Sequence, residues 1–244
     1  MAQASPQSAT PVFEFDAHIR YSEVDHRGLL TLPALINYFQ DASTFQSEVI
    51  GMGMRWLKER HHGWVLTHWQ IVVDRYPALC EPVHVGTFAS GFKGVTATRF
   101  FYLSDQGGDL AARAKSTWAY MDFAKGRPAR PDTAQIEAYG TAEPLEMPAE
   151  ERRVRVPEHL EPCDPVTVRR GQIDTNEHVN NGQYVQMALE VLPRETSPHI
   201  IRVDYRRAAV LGDVVHPAVA QDEERAVVAL DDAERAPFAI VEFA

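Results

Sequence analysis

The sequence predicts an α+β protein in which one unit, a long helix followed by antiparallel strands, occurs twice in tandem. The first observation is an internal repeat: the segment that begins at Arg20 aligns with the one that begins at Arg169 when Asp25 is placed on Asp174. The second is a change of period, because apolar residues after each aligned segment first follow helical spacing and then alternate as in strands. The chain of 244 residues is long enough for two small domains, so a tandem unit fits its length.

Each half contains one predicted helix. The first begins after Thr31, a plausible cap, has Pro33 in its first turn and runs to about Val49. Its apolar residues at helical spacing are Leu32, Leu35, Ile36, Phe39 and Ala42. The second helix is predicted to stop at Pro193, because proline cannot continue a helix. Its apolar residues at helical spacing are Tyr184, Val185, Ala188, Leu189 and Leu192.

Runs rich in Val, Thr, Phe, Tyr and Trp follow each helix and predict strands. In the first half they cover residues 64–75, 82–90, 96–104 and 110–123. In the second half they cover residues 200–206, 214–220, 226–230 and 238–243. The Asp-Gln-Gly-Gly sequence between the last two strands of the first half indicates a hairpin turn. Each half is therefore predicted to be a long helix followed by an antiparallel meander.

A single helix on a curled antiparallel sheet covers the apolar faces of both elements, which is the pattern of the hotdog fold. We therefore predict two tandem hotdog domains, at residues 11–135 and 161–244. A Glu- and Pro-rich segment at residues 136–160 is the predicted linker. Two α+β domains of another topology are the alternative, and periodicity alone does not exclude it.

Composition excludes several classes of protein. A formal charge of −10 and a pI near 5.5 argue against a nucleic-acid partner, whose phosphates need a basic surface. The first ten residues lack the pattern of a signal peptide and no apolar run reaches about 18 residues, so we expect a cytoplasmic protein without a membrane span. Cys80 and Cys163 are too few for a disulfide framework, and neither is a candidate nucleophile. His61 and His62 lack metal-ligand spacing, so no metal or cofactor is predicted.

The segment before the second helix concentrates groups that carry chemistry. Asp174, Asn176 and His178 occupy alternate positions and would share one side if the segment is extended. The structural alternative is a turn that caps the helix, a role that suits Asn180 or Asn181. Capping does not account for the Asp-x-Asn-x-His spacing, so we interpret this motif as catalytic.

These residues lie in segments that resemble the acyl-acyl carrier protein thioesterases, a double-hotdog family. In the first half the resemblance rests on RYSEVD, NYFQDAS, WVLTHWQIVVDRYP and WAYMD, and in the second on DTNEHVNNGQYV and VDYRR. It extends over residues 13–243, nearly the whole chain. The resemblance implies hydrolysis of a fatty acyl thioester on acyl carrier protein, which releases free fatty acid and ends chain elongation. It also implies that the second half is catalytic and that the first half shapes the acyl tunnel.

The sequence agrees with that division, because the aligned first-half turn, Asp25 to Leu29, has no counterpart of Asn176 or His178. One departure concerns the base. The plant family has a Glu directly after its Tyr-Arg-Arg element, where it activates water, and often a Cys beside it. The corresponding residues here are Ala208 and Ala209.

Asp174 is therefore the predicted general base, with Glu190 and Asp213 as weaker candidates. Direct attack by Asp174 to form an anhydride is the less favoured alternative. Asn176 is expected to position water or polarise the carbonyl, and His178 to orient the site and exchange a proton near neutral pH. Backbone amides at residues 179–181 are the expected oxyanion donors.

An acidic enzyme needs a local basic surface to bind an acidic carrier protein. The candidate arginines are Arg152, Arg153, Arg155, Arg169, Arg170, Arg202, Arg206 and Arg207. An acyl-CoA thioesterase and a hotdog hydratase or dehydratase are the alternative enzymes, and a non-enzymatic acyl-thioester sensor is the alternative outside enzymology. Fused hotdogs can form the usual hotdog dimer internally, so both a monomer and a homodimer are expected possibilities.

Overall fold

The computed structural model describes residues 11–194 and 196–244. In this part of the chain the helices are α1 (Leu32–Val49), α2 (Met54–Glu59), α3 (Thr133–Tyr139) and α4 (Asn181–Glu190). The first-half strands are β1 (Phe13–His18), β2 (His62–Val73), β3 (Pro82–Lys93), β4 (Thr96–Asp105), β5 (Leu110–Asp122) and β6 (Arg127–Pro128). The second-half strands are β7 (Glu161–Pro162), β8 (Val166–Thr167), β9 (Ile200–Tyr205), β10 (Val214–Gln221), β11 (Ala226–Asp231) and β12 (Pro237–Phe243). No helix within the described ranges combines the length and apolar character needed to cross a membrane.

The strands form one continuous antiparallel sheet in the order β1-β3-β4-β5-β2-β9-β12-β11-β10-β7. The predicted meander is correct for β3-β4-β5 and β10-β11-β12. It is wrong for the first long strand after each helix, because β2 pairs with β5 and β9 with β12. β2 and β9 then pair with each other, with Ile71 opposite Ile201, so the two halves share a sheet without an exposed edge between them.

In each half, the predicted helix packs against one face of the sheet. The Thr31 hydroxyl accepts the Ala34 amide at 3.4 Å and caps α1, which ends at Val49 as predicted. Phe39 of α1 stacks on Trp69 of β2 at 5.9 Å between ring centroids, and both side chains are fully buried. The aromatic contact fixes the helix against the centre of the sheet.

The second helix is shorter than predicted. α4 ends at Glu190, so Leu192 lies beyond the helix, although its side chain is still buried in the core. The ring of Pro193 disfavours helical geometry in the residue before it, which moves the end of the helix towards the N-terminus.

The connecting segment is a strap of residues 140–160 that crosses the sheet. Its Pro148 carbonyl accepts the Gln70 side chain at 2.9 Å, and its Val154 amide donates to Asp204 at 3.1 Å. Because Gln70 neighbours Trp69 in β2, its side chain points away from α1, so the strap lies on the opposite face of the sheet. The predicted linker begins at residue 136, which lies inside α3, a helix that was not predicted from the sequence.

A buried histidine joins the strap to the two central strands. The Nδ1 atom of His68 lies 2.8 Å from Asp204 Oδ1, and its Nε2 atom lies 2.9 Å from Glu150 Oε2 in the strap. Burial on its own lowers the pKa of His68, but the hydrogen bonds to the two carboxylates outweigh burial and raise the pKa. With a carboxylate at each nitrogen, the protonated ring satisfies both contacts.

His68→Gln is expected to lower the free energy of unfolding by roughly 1–3 kcal/mol at about pH 6. A raised folded-state pKa gives stabilisation that is fully present below the ordinary histidine pKa of about 6.5 and is lost as pH rises through the raised value. The difference between parent and variant in the free energy of unfolding, measured with urea, should therefore shrink as pH rises through the raised pKa of His68.

His84→Gln is the matched control. His84 also lies between two carboxylates, Asp16 and Glu14, but all three side chains are more than one-third exposed. Exposed ion pairs contribute little, so this variant should unfold almost as the parent does. A His68 effect that stays constant with pH would mean that its charge does not stabilise the fold.

Candidate functional site

A tight turn carries the predicted site residues. It is closed by an antiparallel bridge between Ile173 and Val179 and by a hydrogen bond from the Asp174 amide to the His178 carbonyl at 2.8 Å. Asp174 Oδ1 accepts the amide of Asn176 at 2.7 Å and that of His178 at 3.4 Å. The Asp174 carboxylate therefore stabilises the turn through one oxygen, as Asp side chains do in Asx-turns.

The expectation of an extended segment is wrong, because the left-handed conformation of Glu177, with φ at 62°, turns the chain back on itself. Backbone amides rather than alternating side chains converge on Asp174. Within the described ranges no hydrogen bond joins the side chains of Asp174, Asn176 and His178 to one another. The Asn176 amide group and the His178 ring are exposed and have no described protein partner, so both are free to meet a ligand.

The first-half turn has the same backbone geometry. Asp25 Oδ1 accepts the amide of Arg27 at 2.8 Å and that of Leu29 at 3.2 Å, and Gly28 takes the left-handed conformation with φ at 76°. A bridge between Val24 and Leu30 closes it. The two turns thus differ in the side chains that they present, which is the difference expected from the sequence repeat.

The helix amides expected to bind an oxyanion are mostly occupied. The Val179 amide donates to the Ala209 carbonyl at 2.9 Å, and the Asn180 amide donates to the Gln172 carbonyl at 2.8 Å. These two amides belong to the closure of the turn, which removes them as donors. The Asn181 amide has no hydrogen-bond acceptor among the described residues and stays a candidate donor.

Gln40 of α1 reaches this helix start from the first half. Its Nε2 atom donates to Asn180 Oδ1 at 3.2 Å, and its Oε1 atom accepts from Asn181 Nδ2 at 3.0 Å. Asn180 Oδ1 also accepts the Gly182 amide at 2.9 Å, so the capping role considered from the sequence is confirmed. Sequence reasoning missed Gln40, because a contact between the halves leaves no local pattern around it.

The short helix α2 of the first half borders the turn from the other side. Lys58 Nζ donates to the Thr175 carbonyl at 3.2 Å, and the Thr175 hydroxyl lies 3.7 Å from Met54 Sδ. The candidate site is therefore bordered by both halves, and the second half supplies the side chains predicted to be catalytic.

The segment that follows β9 lies against the same turn. Ala209 accepts the Val179 amide through its carbonyl, and its own amide donates to the Tyr184 hydroxyl at 2.7 Å. Ala208 is exposed whereas Ala209 is buried. Ala208, which the sequence resemblance aligns with a Glu of the family, is therefore next to the turn and open to solvent.

Two other carboxylates were candidates for the base. Glu190 is exposed at the C-terminal end of α4, about 14 Å along the helix from the turn, and accepts the Gln186 amide. Asp213 is half-buried and accepts the Val210 amide at 2.9 Å. Burial raises the pKa of Tyr184 to about 12, and the charges of Asp174 and Asp213 add to the rise. Asp174 lies in the same turn as Asn176 and His178, which favours it as the base and leaves Asp213 as the second choice.

Some of the candidate arginines form ion pairs with carboxylates and others do not. Those paired with carboxylates are Arg155 with Glu151, Arg202 with Glu242, Arg206 with Asp204 and Arg207 with Asp232. Arg169 and Arg170, just before the turn, are exposed and have no ion-pair partner in the described part of the chain. The positively charged side chains that remain as candidates beside the turn are therefore these two arginines and Lys58.

Open clefts lie elsewhere on the molecule. One of about 520 Å³ lies under the strap beside Lys115 and Glu150, and one of about 310 Å³ lies beside the first-half turn at Asp25. Neither cleft is lined by Asn176 or His178. Over residues 11–194 and 196–244, no cluster of three or more His, Cys, Asp or Glu side chains is arranged as a metal site.

Two helix-on-sheet units joined through their central strands define a double-hotdog protein, and the side chains predicted to be catalytic lie on one of the two equivalent turns. The family described as Acyl-ACP thioesterase N-terminal domain matches residues 11–138, and Acyl-ACP thioesterase C-terminal domain matches residues 160–235. The chain belongs to the acyl-ACP thioesterase family, as the sequence resemblance predicted.

Sequence relatives include oleoyl-acyl carrier protein thioesterase 1, chloroplastic, of Arabidopsis thaliana, which is 26% identical over 81% of this chain and 60% of the relative. Palmitoyl-acyl carrier protein thioesterase, chloroplastic, of Gossypium hirsutum is 27% identical over 75% of this chain and 47% of the relative. The chain thus spans about half to three-fifths of the length of these relatives.

Solved structures show the same fold. An acyl-ACP thioesterase from Bacteroides thetaiotaomicron superposes with a TM-score of 0.86 at 22% identity, covering 96% of this chain and 97% of the other. The 12:0-ACP thioesterase from Umbellularia californica superposes with a TM-score of 0.79 at 18% identity, covering 96% of each chain. The prediction of two tandem hotdog domains is confirmed.

Proposed function

We propose that this protein hydrolyses fatty acyl thioesters carried on acyl carrier protein, releasing free fatty acid in fatty acid biosynthesis. The observation that carries the proposal is the turn of the second half. It presents Asn176 and His178 to solvent without described protein partners, in a chain that belongs to the acyl-ACP thioesterase family. The named relatives act on oleoyl- and palmitoyl-acyl carrier protein, which supports this substrate class.

The proposed reaction begins with water beside Asp174. Asp174 Oδ1 is held by backbone amides, whereas no described hydrogen bond uses Oδ2, so that oxygen is available to accept a proton. As the proton moves to Asp174, the water oxygen bonds to the thioester carbon and the carbonyl oxygen becomes an oxyanion. The Asn176 side chain and the Asn181 amide are the proposed oxyanion donors.

Collapse of this intermediate restores the carbonyl and breaks the carbon–sulfur bond. A thiol with a pKa near 8.5 leaves readily as thiolate, so little assistance is needed. The proton taken up by Asp174 is proposed to pass to the sulfur with His178 as the carrier, because an imidazole can accept a proton at one nitrogen and donate one from the other. The products are the fatty acid and the free thiol of the carrier.

We propose different roles for the two halves in catalysis and in binding of the acyl chain. Residues 161–244 supply the reactive side chains, and residues 11–135 enclose the acyl chain between α1 and the sheet. The shared sheet joins the halves as a hotdog pair within one chain, which supports a monomer, while the homodimer stays the alternative. The cytoplasm stays the predicted compartment.

The test is an assay of thiol release from a ladder of acyl carrier proteins and the matching coenzyme A esters. Hydrolysis with preference for the carrier protein is expected. Loss of enoyl absorbance without thiol release would instead identify a hydratase or dehydratase. Stable binding of the acyl thioester without turnover would identify a sensor.

Charge reversal tests the carrier-protein surface. Arg169→Glu with Arg170→Glu should raise the apparent KM for acyl carrier protein roughly tenfold and change that for acyl coenzyme A less, because two exposed cations beside the turn would attract an acidic protein. The effect should weaken in high salt.

Arg152→Glu with Arg153→Glu is the matched control, with the same change in charge on two exposed residues of the strap. This variant should keep the parental preference. Equal changes in KM for both substrates in the Arg169 and Arg170 variant would remove these residues from carrier-protein recognition.

A further inference from the structure

The first half contains a buried cation that the proposed chemistry does not use. Arg99 of β4 is 8% exposed and shares the sheet face of Phe101, which packs against α1. Its Nη1 atom donates to Gln46 Oε1 at 2.5 Å and to Thr87 Oγ1 at 3.1 Å. The guanidinium also lies 5.3 Å from the centre of the Tyr139 ring. These contacts hold it inside the half that is proposed to enclose the acyl chain.

The charge of Arg99 has no neutralising partner among the described residues. No carboxylate of residues 11–194 or 196–244 lies within 4 Å of its guanidinium. Burial lowers the pKa of Arg99 to about 10, which still leaves the group protonated at neutral pH. A buried cation without a counter-charge costs free energy, so its presence calls for an anionic ligand.

Neighbouring polar groups are unpartnered as well. Gln135 of α3 is fully buried, and neither its Nε2 nor its Oε1 atom has a hydrogen-bond partner. Its amide lies beside the Tyr120 hydroxyl without reaching hydrogen-bonding geometry. The indole N–H of Trp64 is buried and unpartnered too. Native proteins satisfy most buried polar groups, so several donors left free together indicate a binding site.

Aromatic rings join these groups into one cluster. Tyr139, beside the guanidinium, packs 6.3 Å from Phe92, and Phe92 packs 6.1 Å from Trp64. Trp64 in turn packs 4.8 Å from Tyr120, next to Gln135. We call Arg99, Gln135 and Trp64 with these rings the distal cluster. Its available donors are the guanidinium N–H groups that Gln46 and Thr87 do not use, one amide and one indole N–H, which suit the oxygens of a carboxylate.

The distal cluster belongs to the half that borders the candidate turn through Lys58. α2, which borders the turn through Lys58, continues directly into β2, and β2 carries Trp64. α1 relates the two places, because Gln40 contacts Asn181 beside the turn and Gln46, about 9 Å further along the helix, contacts Arg99. A chain that runs along α1 from the turn would therefore reach the cluster with its far end. The cluster is thus placed to contact the end of the acyl chain opposite the thioester.

We propose that the distal cluster binds a carboxylate at the far end of the acyl chain, so that half-thioesters of dicarboxylic acids are substrates that this protein prefers. The inference rests on the proposed function. Arg99 forms the ion pair, and Gln135 and Trp64 donate hydrogen bonds to the same carboxylate.

The test measures binding without hydrolysis. The ligands are the N-butyl amides of a straight-chain fatty acid and of the dicarboxylic acid of the same length, over a ladder of lengths. These ligands differ only at the far end, and the methyl ester of the second is its neutral control. Calorimetry should show roughly tenfold tighter binding of the carboxylate-ended ligand at the length that reaches Arg99.

Arg99→Met should abolish that preference and Arg99→Lys should keep part of it. Arg99→Met removes a buried unpaired charge, so its ligand-free melting temperature should equal or exceed that of the parent, which checks that it folds. Gln135→Leu, which leaves the charge in place, should weaken the preference without abolishing it.

Equal binding of both ligands at every length, or the same preference in Arg99→Met, would overturn the inference. Acetate that saturates the site as strongly as the long ligand would also overturn it, by identifying a site for free small anions. The thiol-release assay separates the two proposals. Hydrolysis of plain acyl thioesters without a carboxylate preference rejects only this inference, whereas a preference in binding without hydrolysis rejects only the proposed reaction.

Discussion

Asn176→Ala is expected to lower turnover by roughly 10²- to 10³-fold, the usual loss when one oxyanion donor is removed. The Asn176 side chain is exposed and makes no described protein contact, whereas its backbone amide supports the turn. Alanine keeps that amide, so the turn should persist. The loss should therefore appear in kcat, measured by thiol release, with unchanged thermal unfolding.

Arg27→Ala is the matched control, because Arg27 holds the equivalent position in the first-half turn and its amide makes the same contact to Asp25. This variant should retain near-parental turnover. Cys80→Ser and Cys163→Ser should also retain activity. Near-normal hydrolysis by folded Asn176→Ala would remove Asn176 from the mechanism.

Asp174→Asn is expected to lower turnover by roughly 10²-fold or more, within the range for loss of a general base. Asn keeps an oxygen that can accept the amides of Asn176 and His178, so the turn is preserved while the charge is lost. Asp25→Asn makes the same change in the turn without the reactive side chains and should leave turnover near the parental value.

The pH profile separates a base from a structural residue. A carboxylate base must be ionised, so parental activity should fall as pH drops through its pKa. That acidic limb should be missing in Asp174→Asn. If the variant keeps full activity and the acidic limb, another group is the base, and Asp213 is the next residue to test.

Ala208→Glu should restore part of the activity lost in Asp174→Asn. Ala208 is exposed next to Ala209, whose carbonyl binds the Val179 amide of the turn, so a longer side chain has room to reach the site. The resembling plant proteins carry a Glu at this position. No gain from Ala208→Glu in a folded double variant would mean that the two positions do not serve the same water.

Much of the fold follows from local sequence. Thr31 and Pro33 define the start of α1, and the change from helical to alternating apolar spacing defines the strands. These signals involve neighbouring residues, so they can be read without tertiary contacts. Strand order cannot be read from local sequence. β2 lies between β5 and β9 because residues far apart in the chain pair, such as Ile71 with Ile201, and no short-range pattern encodes such pairs.

Some features of the candidate site likewise follow from local sequence, and others depend on tertiary contacts. The sequence by itself determined the repeat, the family and the half that carries Asn176 and His178, because those depend on residue identity and spacing. Only the tertiary structure decided that Asp174 also holds the turn, which amides are already occupied, and that Gln40 and Lys58 reach the site from the other half. Hydrogen bonds between residues more than a hundred positions apart form only when the two halves pack together, so their partners cannot be read from either segment alone.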